Sequence, residues 1–210
     1  MLIPFKTLLK KYNIKPTGVL HIGANEGQEA KDYFDSGVSE VVWIEAIPAV
    51  FNTLVKNIEK YPKMIGLNEC VADIDGASIN FNISNNEGQS SSILQLGTHK
   101  TAHPEVKYTH TIKCITKRVD TLMKSTGLDV SNYNFLNIDL QGAELLALKG
   151  IGEEINKIEY AYLEVNKEPL YVGCALIADI DSFMLDKGFK RVELEWCGNF
   201  GWGDAFYIRL

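Results

Sequence analysis

Val19-Leu20-His21-Ile22-Gly23-Ala24-Asn25-Glu26-Gly27 is the stretch that decides the fold. Its first four residues make a short, mostly apolar strand, the glycines break it, and the residues from about Gln28 to Ser36 predict a helix. Strand, glycine-rich turn and helix in that order open a βαβ unit. Further along, Glu40-Val41-Val42-Trp43-Ile44-Glu45 is a second β-branched run ending on an acid. Pro48 to Ile58 follows with helical periodicity and a proline in its first turn. Asn134 to Asp139 repeats the pattern, with a helix from Ala143 to Lys149 stopped by Gly150. Successive strand-to-helix units imply a parallel sheet with right-handed crossovers, so the chain is expected to be a doubly wound α/β protein.

The remaining segments fill in around that frame. Phe5, Leu8, Leu9 and Tyr12 share one face of a leading helix. Met64 to Ala72 reads as a third strand, turning at Asp73-Ile74-Asp75-Gly76 into Ala77 to Ile83, so a β-hairpin is expected there. Thr111 to Thr116 is a further strand candidate, and an amphipathic helix is expected around Val119 to Thr126. Ile158 to Val165 is a core strand, Leu176 to Lys187 a helix, and Phe189 to Trp196 with Asp204 to Arg209 a closing antiparallel pair. The chain is expected to form one domain over 1–210. Its polar segment at about 84–110 is long for an idle loop and is read as a functional loop or lid.

With 46% hydrophobic and 23% charged residues and a formal charge of −6, the composition is that of a soluble protein and offers no basic footprint for nucleic acid. Cys70, Cys114, Cys174 and Cys197 lack paired metal-ligand spacing and are expected to be buried free thiols; no metal is expected. The first twelve residues lack the apolar core of a signal peptide, and no apolar run is long enough to span a bilayer, so a cytoplasmic protein without membrane attachment is expected.

In a doubly wound sheet the ligand lies at the carboxyl ends of the strands, which here carry the 21–27 turn, Glu45, Asp139 and Glu164. Gly23-x-x-x-Gly27 departs from the G-x-G-x-x-G dinucleotide fingerprint, whereas a strand-end acid such as Glu45 suits ribose hydroxyls. An adenosyl ligand is the expectation. Gln141 and Glu144 follow Asp139 on the next turn and helix, where Glu144 could instead favour its own helix N-terminus, and Asn166 shares the rim with Glu164. Base candidates are His99, His103 and His110 in the polar segment, with Asp139 and Glu164. Ser90, Ser91 and Ser92 could bond cofactor or acceptor, and Trp196, Phe200 and Trp202 could wall an acceptor pocket.

These motifs together resemble the FkbM-like family of S-adenosylmethionine-dependent methyltransferases along most of the chain. The 19–27 run, Val42-Trp43-Ile44-Glu45-Ala46, Gly88 to Leu94, Phe135 to Glu144, Glu164-Val165-Asn166 with Leu170-Tyr171, and Trp202-Gly203-Asp204-Ala205 match in order. The resemblance implies a Rossmann-like seven-stranded sheet with a reversed last strand and S-adenosylmethionine as cofactor. It places His21, Gly23, Ala24, Asn25, Glu26 and Gly27 in the cofactor motif, with Gly23 to Glu26 around the methionyl part. Glu45 and Ala46 fall at the ribose, Val71, Ala72 and Asp73 near adenine, Asp139 toward the sulfonium, and Ser91 and Gln141 in matching segments. Asn137 stands where variants carry lysine, so no lysine base is implied there. The activity implied is methylation of a hydroxyl on a sugar or other small molecule. A nicotinamide-dependent oxidoreductase and a silent adenosyl-binding module are the competing readings.

Overall fold

A computed structural model describes residues 1–210. The strands are β1 (Val19–Ile22), β2 (Val41–Ile44), β3 (Met64–Leu67), β4 (Cys70–Val71), β5 (Ser78–Ser84), β6 (Tyr108–Lys117), β7 (Phe135–Ile138), β8 (Tyr160–Asn166), β9 (Phe189–Trp196) and β10 (Trp202–Arg209). The helices are α1 (Phe5–Tyr12), α2 (Ala30–Asp35), α3 (Pro48–Ile58), α4 (His99–Ala102), α5 (Val119–Thr126), α6 (Glu144–Ile151) and α7 (Ile177–Asp186).

Seven strands form the main sheet in the order β3-β2-β1-β7-β8-β10-β9. All pairings from β3 to β8 are parallel, and β10 runs antiparallel between β8 and β9, which is the doubly wound sheet with one reversed strand. β1, β2 and β7 are buried on both faces, which is why they read as nearly unbroken apolar runs. The alternation of side chains then builds two cores. Leu20, Ile22, Val42, Ile44, Leu136 and Ile138 pack against α5, α6 and α7, while Val19, Val41, Trp43 and Phe135 pack against α1, α2 and α3.

The strand order reverses between β1 and β7, and the crevice lies at the carboxyl ends of the strands there. A three-stranded sheet, β4-β6-β5, stands beside that rim. Here the structure corrects the sequence reading: Met64 to Ala72 is two strands in two sheets, and no hairpin joins it to Ala77–Ile83. The cause is Thr116, distant in sequence. Its carbonyl accepts from the Gly76 N–H (2.8 Å), and its hydroxyl accepts from the Ala77 N–H and donates to the Ile74 carbonyl, so the turn is steered onto β6. β5 and β6 pair antiparallel instead, and the polar segment spans the gap between them. The thiols are all free, but only Cys70 is buried; Cys114 on β6, Cys174 and Cys197 are partly exposed. No helix is long and apolar enough to cross a membrane.

Candidate functional site

At the crevice the structure opens a cavity of about 600 Å³. Its floor is the turn after β1. Gly23 has φ +79°, and a Cβ there would lie 1.7 Å from the Asp139 carbonyl oxygen, so only glycine lets β1 and β7 end this close together. The Gly23 and Ala24 N–H groups both donate to the Ile44 carbonyl, and Asn25 follows in a left-handed conformation at φ +45°.

Glu45 closes the turn from the β2 side. One carboxylate oxygen accepts from the Asn25 N–H (2.9 Å) and the other from the Ile47 N–H (2.8 Å), while the side chain is only 6% exposed and lines the cavity. Burial pushes its pKa up to about 7, against the two backbone donors, which favour the ionised form. A buried acid that keeps lone pairs facing a cavity is suited to hydroxyl donors. Ile44, Ile47, Val71, Phe81 and Ile93 supply an apolar wall beside it.

Across the cavity, Gln141 knots together the acids of β7 and β8. Held at φ +53°, it donates through Nε2 to Asp139 (2.7 Å) and to Glu164 (2.5 Å). Its Oε1 accepts from the Tyr171 hydroxyl (2.6 Å), and its backbone carbonyl accepts from the Ser92 hydroxyl (2.8 Å). Asp139 is open to the cavity, whereas Glu164 is buried. Burial, then the charge of Asp139, raises the Glu164 pKa well above the ordinary carboxyl range and so favours its neutral form. Glu144 turns away from the cavity. Its Oε1 accepts from the Leu140 and Gly142 N–H groups (3.0 and 2.9 Å), so it caps the turn into α6, and burial raises its pKa to about 7.

The polar segment is packed rather than loose. Bridges Asn82–Ser92 and Leu96–Tyr171 tie it down, and Ser90, Ser91, Ser92, Leu96 and His99 are buried. Its short helix α4 brings His99 and His103 to the cavity, rings 4.9 Å apart, with His99 also 5.4 Å from Tyr171. Burial, then the neighbouring His103, lowers the His99 pKa, so the ring is neutral near pH 7, and its Nδ1 has no partner.

Of the residues singled out from sequence, His21, Gly23, Ala24, Asn25, Glu45, Ala46, Val71, Ser91, His99, His103, Asp139, Gln141 and Glu164 line this one cavity. Others fall elsewhere. The Glu26 carbonyl accepts from the Asn57 amide, and Gly27 is a packing glycine whose Cβ would meet Leu54 at 2.6 Å. Ala72 is buried with its N–H donating to Lys117, and the Asp73 carbonyl is held by Arg118. His110 is exposed on β6 beside Thr109. Asn166 is fully buried, with both side-chain polar atoms unpartnered, and does not reach the lining. Trp202 lines the cavity; Phe200 reaches it only through its contact with the His103 ring, and Trp196 stays on β9. Asn137 donates to the Tyr33 hydroxyl, which contacts His21, so it completes a buried polar cluster. No group of His, Cys, Asp or Glu side chains is arranged to hold a metal.

Sequence reasoning did not single out Tyr171 as a site residue or assign Gln141 its bridging role. Tyr171 is legible only as a match to a motif, and Gln141 only as a polar residue two positions after a strand-end acid.

The family model described as Methyltransferase FkbM domain matches residues 21–191. A curated relative, the 2-O-methyltransferase NoeI of Sinorhizobium fredii, is 26% identical over 184 residues, covering 82% of this chain and 74% of its own. Among solved structures, magnesium protoporphyrin IX methyltransferase from Synechocystis PCC 6803, with bound S-adenosylmethionine, superposes with TM-score 0.53 at 11% identity, covering 97% of this chain and 74% of that one. Aeropyrum pernix fibrillarin, also holding S-adenosyl-L-methionine, gives 0.50 at 11% identity, with 96% and 72% covered. Sp1610 of Streptococcus pneumoniae, assigned to tRNA methylation, gives 0.53 at 11% identity, with 97% and 68% covered. Because one fold is shared by proteins with such different assignments, overall net charge does not decide the acceptor class.

Proposed function

This chain belongs to the FkbM methyltransferase family, and from that premise we propose that it methylates a hydroxyl on a small molecule, a sugar or another hydroxylated metabolite, with S-adenosylmethionine as donor. The observation that carries this reading is Glu45: a buried carboxylate at the switch point of the sheet, braced by two backbone N–H groups and facing a cavity of ligand size.

The residues present fit the donor. Glu45 would accept from the ribose hydroxyls, Ile44, Ile47, Val71 and Phe81 would flank the adenine, and His21 with the Gly23–Asn25 turn would border the methionyl end. When bound, the donor supplies a methyl group on a cationic sulfur. The protein's task is then orientation, exclusion of water and removal of one proton.

Asp139 is our assignment for the base. Its carboxylate is open to the cavity and held by Gln141, whereas Glu164 is buried, its pKa raised by burial and by the charge of Asp139, and it anchors the same Gln141 amide. His99, neutral and with an unpartnered Nδ1, is placed to orient the acceptor from beside Tyr171 and His103. Ser91, donating or accepting at Ser84, stiffens the segment that covers the cavity.

Calorimetry with S-adenosylmethionine, S-adenosylhomocysteine and NAD tests the cofactor; NAD binding alone rejects the reading. Transfer of labelled methyl to a panel of glycosides and hydroxylated metabolites tests the reaction. Asp139→Asn is expected to lower turnover while leaving the melting temperature nearly unchanged. Full activity in that variant removes Asp139 as base.

A further inference from the structure

We propose that the acceptor is uncharged or cationic around the hydroxyl that is methylated, and that phosphorylated, carboxylated and nucleic-acid acceptors are rejected. This rests on the reading of the cavity as the methyl-transfer site and adds the charge class of what enters it.

The first observation is the charge of the wall. No lysine or arginine lines the cavity, whereas Glu29, Glu45, Glu69, Glu105, Asp139 and Glu164 do. The acceptor half has the Asp139 carboxylate, the exposed Glu105 and the buried Glu164, whose neutral form burial favours, with His99 and His103 as its basic side chains. His99 is neutral, because burial lowers its pKa. The N-terminal ammonium of Met1 borders the cavity 3.6 Å from the Glu29 carboxylate, Lys117 is paired with Glu69 at 2.7 Å, and Lys100 and Lys107 are exposed outside the lining.

The second observation is independent of side-chain charge. Proteins also grip phosphates and carboxylates with backbone N–H groups at turns and helix entries. Here six such groups, in the turns after β1, β2 and β7, are already taken. The Asn25 and Ile47 N–H groups donate to Glu45, the Leu140 and Gly142 N–H groups to Glu144, and the Gly23 and Ala24 N–H groups to the Ile44 carbonyl. On the side of Asp139, the Glu144 carboxylate thus occupies the turn where an anionic group of the acceptor would sit. An anionic acceptor beside Asp139 would meet no arginine fork, would find the Leu140 and Gly142 amides occupied, and would face the Asp139 carboxylate in a partly desolvated space where like charges repel strongly.

The same arrangement favours a cation. The partly exposed rings of His103 and Trp202, with His99 and Tyr171 buried beside them, line the cavity and give flat faces suited to a neutral sugar ring or to an ammonium group.

The potential can be measured without knowing the acceptor. In protein saturated with S-adenosylhomocysteine, proton relaxation of His99, His103 and Tyr171 is recorded with a cationic and an anionic nitroxide of equal size. The cationic probe is expected to act about threefold or more strongly on these rings. Equal or reversed effects overturn the proposal. As a second arm, methyl transfer is compared for methyl glucoside, its aminosugar analogue, its phosphate ester, methyl glucuronide and a short RNA. Transfer to the neutral or amino compound at about 100-fold or more over the anionic ones supports it. Transfer to the phosphate ester, the glucuronide or the RNA at a comparable rate overturns it. Failure of S-adenosylhomocysteine to bind in calorimetry rejects the methyl-transfer reading itself and is thereby separate from both arms.

Discussion

Replacing Glu45 by Gln should move stability and ligand affinity in opposite directions as pH rises. The wild-type side chain accepts two backbone N–H bonds, one on each oxygen. Gln has one carbonyl oxygen, so one of the two N–H groups is left facing an amide NH₂, at a cost of about 1–3 kcal/mol. The variant is therefore less stable than wild type at pH 5 by about that amount. The wild-type acid carries a cost of its own. Its pKa rises from 4.5 unfolded to about 7 folded because burial disfavours the charge. A raised acid binds its proton more tightly in the folded state, so the penalty is absent below pH 4.5, grows up to pH 7 and stays constant above. At about 1.4 kcal/mol per pH unit, it reaches about 3 kcal/mol. Gln lacks this slope, so by pH 8 the stability gap should close or reverse. Affinity should behave otherwise: loss of the ionised acceptor at the ribose should weaken S-adenosylhomocysteine binding at pH 8 by about 1–3 kcal/mol. Urea denaturation at pH 5 and pH 8, with calorimetry on the same samples, checks both. A gap that is the same at both pH values refutes the burial argument, and undiminished affinity takes Glu45 out of the cofactor site.

Two further outcomes are expected. Gly23→Ala should cost about 3 kcal/mol or more and abolish S-adenosylhomocysteine binding, because its Cβ cannot coexist with the Asp139 carbonyl; a folded, binding-competent variant by calorimetry contradicts the turn geometry. Tyr171→Phe should lower stability by about 1–3 kcal/mol and reduce turnover, since the Gln141 Oε1 loses its donor and the bridge to Asp139 loosens; unaltered denaturation and turnover contradict that coupling.

The parallel core was readable in the residue order because its signals are local. A buried strand, a glycine turn and a helix lie within a few residues of each other, and His21, Gly23 and Glu45 could be placed at a strand end from that alone. The β4-β6-β5 sheet was not readable, because its pairing is decided by Thr116, some forty residues beyond the turn it captures. Glu144 was open between ligand and helix, and the choice depended on which N–H groups lie within its reach. The bridging role of Gln141 needs a left-handed backbone in a residue type that seldom adopts it, which composition and periodicity cannot signal. Ala72 and Asp73 were placed near adenine from a motif; they directly follow β4 and are not among the residues that line the cavity.

The reversed strand β10 has a consequence for biogenesis. During synthesis β8, which bears Glu164, acquires its β7 neighbour early, yet its other edge stays open until Trp202–Arg209 has emerged from the ribosome and slid in ahead of β9. The acidic side of the crevice is therefore assembled last, and a stalled or truncated nascent chain displays a bare, apolar ribbon primed for intermolecular pairing.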